Sequence, residues 1–520
     1  MTDDGERGVA IGWLLPGAIF VVAFALRAWK PGLVHFGIDE GKAAAVAMQI
    51  AHGVRFPLTG IETSFGFHNP PLFLYLIAPF FALSRNPVVA LMAFHLAGSL
   101  AVLAAWRCGS ILGERRCAVA AAVIVAVCPN AVEHSRRLWG HDLIVPFSAL
   151  CLWGALEAAR RRDWRWLVVS FAGATAAQSV HLSGVALWVP ALFAASRCCI
   201  PRAWIGIAIG FAILGLSYLP WLVNECQSGF PDSAIIGSLL SGSYRVPEIG
   251  HPVNPGAAWA TVLSDFWSHD LAGSKRPWML SPLAAVASFF ASACAMLLLG
   301  AGVFFSMRLA GKKDRVAGSG VSGAAVMLLL GIAVPLLMFA VVFRSSVPPY
   351  MLPALFPAAL AAAWALSAWR SRRAAAGCLF VYTVASLLLV LEVRRQIDAG
   401  EGSNLPLGEK RDIAALITAE RPPGSIAVMQ NARAPGAGLD VALVYLLFER
   451  GLEAADYAPP GRAASVFVVV EDAARIRREP AVFLAPYQMA ESPHARIYRL
   501  DPPANAAWLE VLRQFPAPER

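Results

Sequence analysis

Long apolar runs separated by short polar breaks fill the first three quarters of the chain. Runs near 9–28, 87–107, 117–132, 139–158, 165–180, 182–196, 203–223, 281–307, 321–343, 349–369 and 374–393 come near the roughly 20 residues a helix needs to cross a bilayer. A further run at 70–84, PPLFLYLIAPFFALS, is shorter and carries Pro70, Pro71 and Pro79. It reads as a juxtamembrane or re-entrant helix, because interrupted helix at membrane depth is tolerated where protein covers it. The pattern predicts a polytopic α-helical membrane protein of about 11–13 spans.

The polar breaks orient these spans. Loops near 107–116, 160–165, 197–202, 308–315 and 370–373 are rich in Arg and Lys and poor in acids. They alternate with weakly basic turns, so they are expected on the cytoplasmic side. The first outer loop then covers 29–86. The turns near 133–138, 181, 224–280 and 344–348 share its side. One conflict is that Arg27, Lys30, Lys42, Arg55 and Arg85 make the first outer loop more basic than the rule favours. The N-terminus carries Asp3, Asp4 and Glu6 against Arg7, the wrong charge for a signal peptide, so 9–28 is expected to be retained as a span.

Residues 1–393 therefore read as a transmembrane domain, and the character changes over 394–520. GEKRDIAALITAE and DVALVYLLFER read as helices; SIAVMQ, SVFVVVED and HARIYRL read as strands. The alternation predicts a small α/β domain, and an odd number of spans places it outside.

Composition agrees with the pattern. The chain of 520 residues is 58% hydrophobic and 15% charged, against roughly 25% charged in soluble domains. Its net charge of +9 comes from short loops between apolar runs. A nucleic-acid footprint would be a basic stripe on a soluble face, so no nucleic-acid partner is expected. The nine cysteines form no disulfide framework and no CxxC spacing.

The candidate chemistry gathers on the expected outer side. Asp39 and Glu40 are adjacent carboxylates in the first outer loop, which closes with His68 and Asn69. His134, Arg136, Arg137 and Asp142 lie at a second outer turn, His181 at a third, and Arg344 and Tyr350 near the last. Polar groups beside a membrane core default to a functional reading. An attacking hydroxyl or amine must lose a proton, which calls for a carboxylate base; Asp39 is the choice, with Glu40 orienting it or holding the acceptor. Capping of the helix that follows would also explain both acids. A departing phosphate calls for cations, supplied by Arg136, Arg137 and Arg344. Asp142 could hold an arginine in place, and His181 could bind phosphate or sugar. His68 with Asp39 and Glu40 could hold a divalent metal, although their spacing does not fix such a site. His95 reads as a satisfied core histidine. Trp106, Trp139, Trp166, Trp221 and Trp369 read as interfacial anchors.

The stretch GIDEGKAAAVAMQIAHG, followed by FHNPPLFLYLIAPFFAL, resembles the start of polyprenyl-phosphate-dependent glycosyltransferases of the protein O-mannosyltransferase and lipid A aminoarabinose transferase superfamily. CPNAVEHSRRLWGHDLIVPFSALCLWGAL, AAQSVHLSGVALWVPALF and VPPYMLPALFPAALAAAWAL are similar to its later blocks. The ordered set covers roughly residues 9–370. The resemblance implies the C-type glycosyltransferase fold, an outward-facing site and a polyprenyl-phosphate-linked sugar donor. It matches Asp39 to the catalytic acid, Arg136 or Arg137 to the phosphate-side arginine, and Tyr350 to a position near the lipid carrier. The chain departs from the aminoarabinose transferases by His68-Asn69 in place of Glu-Lys. It departs from a common Arg-Tyr pair by Gly41-Lys42.

The expected activity is transfer of one sugar from a polyprenyl phosphate to a lipid, glycan or protein acceptor at the outer face of the inner membrane, with inversion. A lipid or lipid-linked-sugar transporter is the alternative. It predicts internal repeats and a midplane site, and the sequence has no evident repeat.

Overall fold

Over the described residues, each of the eleven predicted spans falls largely on helix in the computed structural model, which describes residues 3–63, 65–198, 200–241, 282–310, 320–338, 348–399, 405–420, 424–430, 441–452, 456–457, 462–471 and 483–514. Helix α1 (Asp3–Ala28) leads into two shorter helices, α2 (Ile38–Ala51) and α3 (Leu72–Leu83). Helix α4 (Pro87–Val127) is two arms joined where Gly113 and Glu114 leave helical geometry, within the predicted 107–116 break. Then come α5 (Pro129–Glu133), α6 (Ile144–Arg161), α7 (Arg165–Val180), α8 (Trp188–Arg197), α9 (Ala203–Ser228) and α10 (Pro231–Leu240). Helices α11 (Pro282–Ala310), α12 (Val321–Leu337), α13 (Leu352–Ala368) and α14 (Arg372–Asp398) complete the apolar set.

Among the described residues, four segments are long and apolar enough to cross a membrane by length and composition: Pro87–Val127, Gly140–Arg161, Ala203–Ser228 and Arg372–Asp398. Shorter apolar helices stand among them. At about 18 Å, α3 is too short to cross, as the prolines of 70–84 suggested. Burial sorts the helices into inner and outer ones. Every residue of α13 from Leu352 to Leu366 is buried, and its run of alanines lets α4, α11 and α12 pack closely around it. The outer helices present large apolar side chains outward: Trp204 and Leu216 on α9, Phe289 on α11 and Phe380 on α14 are each at least 68% exposed. Such rows suit lipid rather than water.

Three arginines close the end of this bundle nearest the site. Arg27 donates to the carbonyls of Ala23, Val125, Ala126 and Ala131. Arg394 donates to Leu26. Arg136 donates to the carbonyls of Arg27, Trp29, Lys30 and Leu33. Helices α1 and α4 both end here, and their last carbonyls lack intrahelical partners and carry partial negative charge. Arg27 is thus a buried capping group at the end of α1, which removes it from the positive charge counted with the first outer loop. His95 is also buried nearby. Contrary to the sequence expectation, neither of its ring nitrogens has a partner among the described residues.

The C-terminal part builds α15 (Leu407–Glu420), β1 (Ile426–Gln430), α16 (Val441–Glu449), β2 (Ser465–Glu471), β3 (Gln488–Ser492), β4 (Ala495–Leu500) and α17 (Ala504–Gln514). The strands form one sheet in the order β1-β2-β4-β3, with β1 and β2 parallel and the other pairs antiparallel. Alternation along β2 serves both faces. Phe467 and Val469 join the main core, whereas Val466, Val468 and Val470 pack with Trp508 of α17.

This sheet domain is joined to the helical part at α2. Leu407 donates its backbone N–H to Val34 at 3.0 Å, and Gly408 donates to Gly32 at 2.9 Å. The Tyr445 hydroxyl donates to the Arg85 carbonyl at 2.5 Å. Helices α2 and α16 touch at Gly41, where a Cβ would lie 2.7 Å from the Ala442 Cα. Only glycine allows that approach.

Candidate active site

The start of α2 separates the two acids. The helix begins at Ile38, and the N-cap is Gly37. Glu40 reaches back to accept the Gly37 N–H at 2.9 Å, filling the capping role that the sequence left open between the two acids. Its other oxygen accepts from Arg137 Nε at 3.1 Å and Nη2 at 2.8 Å, with His35 Nδ1 at 3.3 Å. Burial alone would push the Glu40 carboxyl up; Arg137 and His35 overcome this and hold it well below the usual carboxylate range. Glu40 is 1% exposed, so it orients its surroundings and does not hold an acceptor.

Asp39 is left free of the cap. Burial pushes its carboxyl above the ordinary value, the neighbouring Glu40 adds to the rise, and Lys42, Arg137 and His35 pull it back. A carboxylate shifted upward is a stronger base than an ordinary one.

Behind these acids lies a hydrogen-bonded layer from the second turn. Asp142 accepts the Arg137 backbone N–H at 2.9 Å through Oδ2, and its Oδ1 lies 3.2 Å from His134 Nδ1. Asp142 therefore positions Arg137 through its backbone. The Arg137 guanidinium also stacks 4.5 Å from the Trp139 ring centre.

Two cavities meet at Asp39. The larger, about 660 Å³, has walls that include Lys42, Arg55, Glu62 and His68. The smaller, about 60 Å³, lies among Asn69, Trp139, His141, His181 and Tyr350. Asp39, Ile61, Glu62 and Thr63 border both. The smaller one is walled by packed rings: the His141 ring centre lies 3.8 Å from that of Trp139 and 3.7 Å from that of His181, both pairs tilted, and Tyr350 stacks on His181 at 4.8 Å. His181 is fixed by Ser183, whose backbone N–H donates to Nδ1 at 3.2 Å. That assigns the ring proton to Nε2.

The structure thus brings Asp39, His68, Asn69, His181 and Tyr350 to the cavities, with Glu40, His134, Arg137 and Asp142 directly behind. Arg136 turns away: it is 1% exposed, and carbonyls at the end of α1 and just beyond occupy its guanidinium, so it is not placed to meet a phosphate. Arg344 lies outside the described residues. The metal set considered from sequence does not converge. Glu40 is paired with Arg137, and His68 Nδ1 lies 3.1 Å from Asp232, which also accepts from Trp221 Nε1. Among the described residues, no three metal-ligating side chains come together.

Sequence reasoning missed Lys42, Arg55 and Glu62 as wall residues, missed His141, and read Trp139 as a membrane anchor. The signal for the last two was Trp-Gly-His-Asp at the head of a span. A Cβ at Gly140 would lie 2.6 Å from the Val180 carbonyl oxygen. Glycine there lets the 139–142 turn press against the end of α7, which lays His141 on His181.

Comparison with known proteins agrees with this architecture. The family model for dolichyl-phosphate-mannose-protein mannosyltransferase matches residues 68–221. The crystal structure of ArnT from Cupriavidus metallidurans bound to undecaprenyl phosphate superposes with a TM-score of 0.58 at 16% identity, covering 98% of this chain and 100% of the other. The Archaeoglobus fulgidus oligosaccharyltransferase in complex with Zn and sulfate gives 0.53 at 13% identity, covering 96% of this chain and 76% of the other. No curated protein matches in sequence. The class is therefore a multi-pass membrane protein with the C-type glycosyltransferase fold, carrying a small C-terminal sheet domain. The family match spans the CPNAVEHSRR and AAQSVHLSG blocks and does not reach Asp39-Glu40.

Proposed function

We propose that the protein transfers a single sugar from a polyprenyl-phosphate donor to a lipid, glycan or protein acceptor at the outer face of the inner membrane, with inversion and with Asp39 as general base. The observation that carries this reading is the place of Asp39 at the border of two cavities, beside a Glu40 already neutralised by Arg137. A base must touch the acceptor atom, and that atom must itself reach the anomeric carbon, so a carboxylate where the two cavities open into each other can face both reactants. The acceptor enters through the larger cavity. Its hydroxyl or amine gives its proton to the Asp39 carboxylate as its oxygen or nitrogen bonds to the anomeric carbon. The bond from that carbon to the phosphate oxygen breaks, and polyprenyl phosphate departs with the electron pair. Cations near developing phosphate charge favour that departure. Lys42 and Arg55 border the larger cavity and Arg137 lies behind Asp39, so the donor phosphate shares the larger cavity with the acceptor while an edge of the sugar enters the smaller one. The undecaprenyl phosphate bound to the ArnT structure and the dolichyl-phosphate-mannose family pattern support a lipid phosphate as carrier.

The test is release of undecaprenyl phosphate from undecaprenyl-phosphate monosaccharides by purified protein supplied with membrane extract. Asp39→Asn is expected to lower turnover by about 10²–10⁴-fold with an unchanged unfolding midpoint. Full activity in that variant would remove Asp39 as the base.

A further inference from the structure

We infer that His141 is a specificity-determining residue that, with Asn69, reads hydroxyl groups on the transferred sugar, in a small chamber that admits a ring edge without negative charge. This rests on the glycosyl-transfer reading and names its sugar class. His141 is 6% exposed. Neither of its ring nitrogens has a hydrogen-bond partner among the described residues, and the same holds for Asn69 Oδ1. Both residues border the chamber. Buried polar groups are almost always satisfied, so donors and acceptors left open around one cavity mark what the cavity receives.

The shape fits the same ligand. At about 60 Å³ the chamber has room for several water-sized groups, such as the hydroxyls along one edge of a sugar, one water needing about 10–15 Å³ on the same measure. Trp139, His181 and Tyr350 give that edge apolar ring surface to pack on, leaving its hydroxyls to His141 and Asn69. Charge then narrows the class. The ionisable groups on the chamber wall are the acids Asp39 and Glu62, the two histidines and the Tyr350 phenol. No Lys or Arg borders it among the described residues, whereas Lys42 and Arg55 border the larger cavity. A carboxylate on the sugar would face Asp39 and Glu62, while Arg137, the cation behind this wall, is already paired with Glu40, and like charges reject a ligand.

The test uses full-length protein in nanodiscs with undecaprenyl-phosphate-linked mannose, glucose and glucuronate, together with single-deoxy analogues of whichever neutral donor is turned over. Wild type, His141→Phe and His141→Gln are compared by kcat/KM and unfolding midpoint. Phenylalanine keeps the ring stack and removes both nitrogens. It is expected to lower kcat/KM about 10–100-fold on the hydroxylated donor, and to add little to the loss on one deoxy analogue. His141→Gln, which keeps a donor and an acceptor, recovers part of the loss. Glucuronate is expected to be turned over at least tenfold more slowly than the neutral donors. Equal discrimination among deoxy donors by wild type, His141→Phe and His141→Gln would overturn the inference while leaving the transfer reading intact, as would glucuronate turned over like glucose. Failure of the reading itself appears differently, as no release of undecaprenyl phosphate from any donor by wild type, and the inference falls with it.

Discussion

At the residue scale, two adjacent carboxylates have opposite fates. Glu40 is capped, paired and held low, while Asp39 is pushed up by burial and by Glu40. A base works only when ionised, so turnover is present above the folded pKa of Asp39 and is lost as pH falls through it. Because that pKa is raised, the acid limb of kcat/KM is expected above the range of an ordinary aspartate, about 4. Lys42 is the strongest of the groups pulling it back down. Lys42→Met is therefore expected to move the limb to higher pH, measured as kcat/KM for donor turnover across pH; an unmoved limb would mean that another group titrates. The pair was legible in the sequence because two acids beside a membrane demand a reason. Its division of labour was not, because that depends on where α2 begins, and the start falls on Gly37, which has no side chain with which to cap. Arg136 and Arg137 look equivalent as neighbours in sequence. They diverge because one faces the carbonyls at the end of α1 and the other faces Glu40.

At the element scale, the apolar runs predicted the helices well because length and hydrophobicity alone decide a span. The breaks were as clear, the turn at Gly113 and Glu114 included. Strand β3, QMAES, and helix α17 went unread. The strand has few apolar residues and owes its form to pairing with β4. The helix is amphipathic, anchored by Trp508 beneath the sheet. The contact between α2 and α16 was equally invisible, since it joins segments 400 residues apart through Gly41 and Ala442. Gly41→Leu is expected to destabilise the protein by about 1–3 kcal/mol and to lower donor turnover, because a side chain there must push α2 off α16. Ala442→Gly should not rescue it, since the clash is with backbone atoms; thermal unfolding of the single and double variants checks both statements.

At the scale of the whole molecule, the basic loops and the sheet domain are expected on opposite sides of the membrane. Glu491, on β3, has a side chain 60% exposed, and Arg116 is exposed at the turn within α4. In a background carrying Cys226→Ser, which removes an exposed native thiol, Glu491→Cys should react with a membrane-impermeant maleimide in intact cells. Arg116→Cys should react only after permeabilisation. The reverse pattern would invert the protein and move the site to the cytoplasmic face. The seam at Gly41 has one more consequence, for the chain's history. A soluble appendage tethered by a linker can drift, be exchanged or be lost without touching the chemistry. Here the helix bearing Asp39 rests its back on that appendage, so a shift of a few tenths of an ångström in α16 is passed to the carboxylate. The two halves must change in step. A chimaera that grafts a foreign C-terminal domain after residue 398 inherits the wall residues of both cavities intact, yet loses the surface that sets the position of its base.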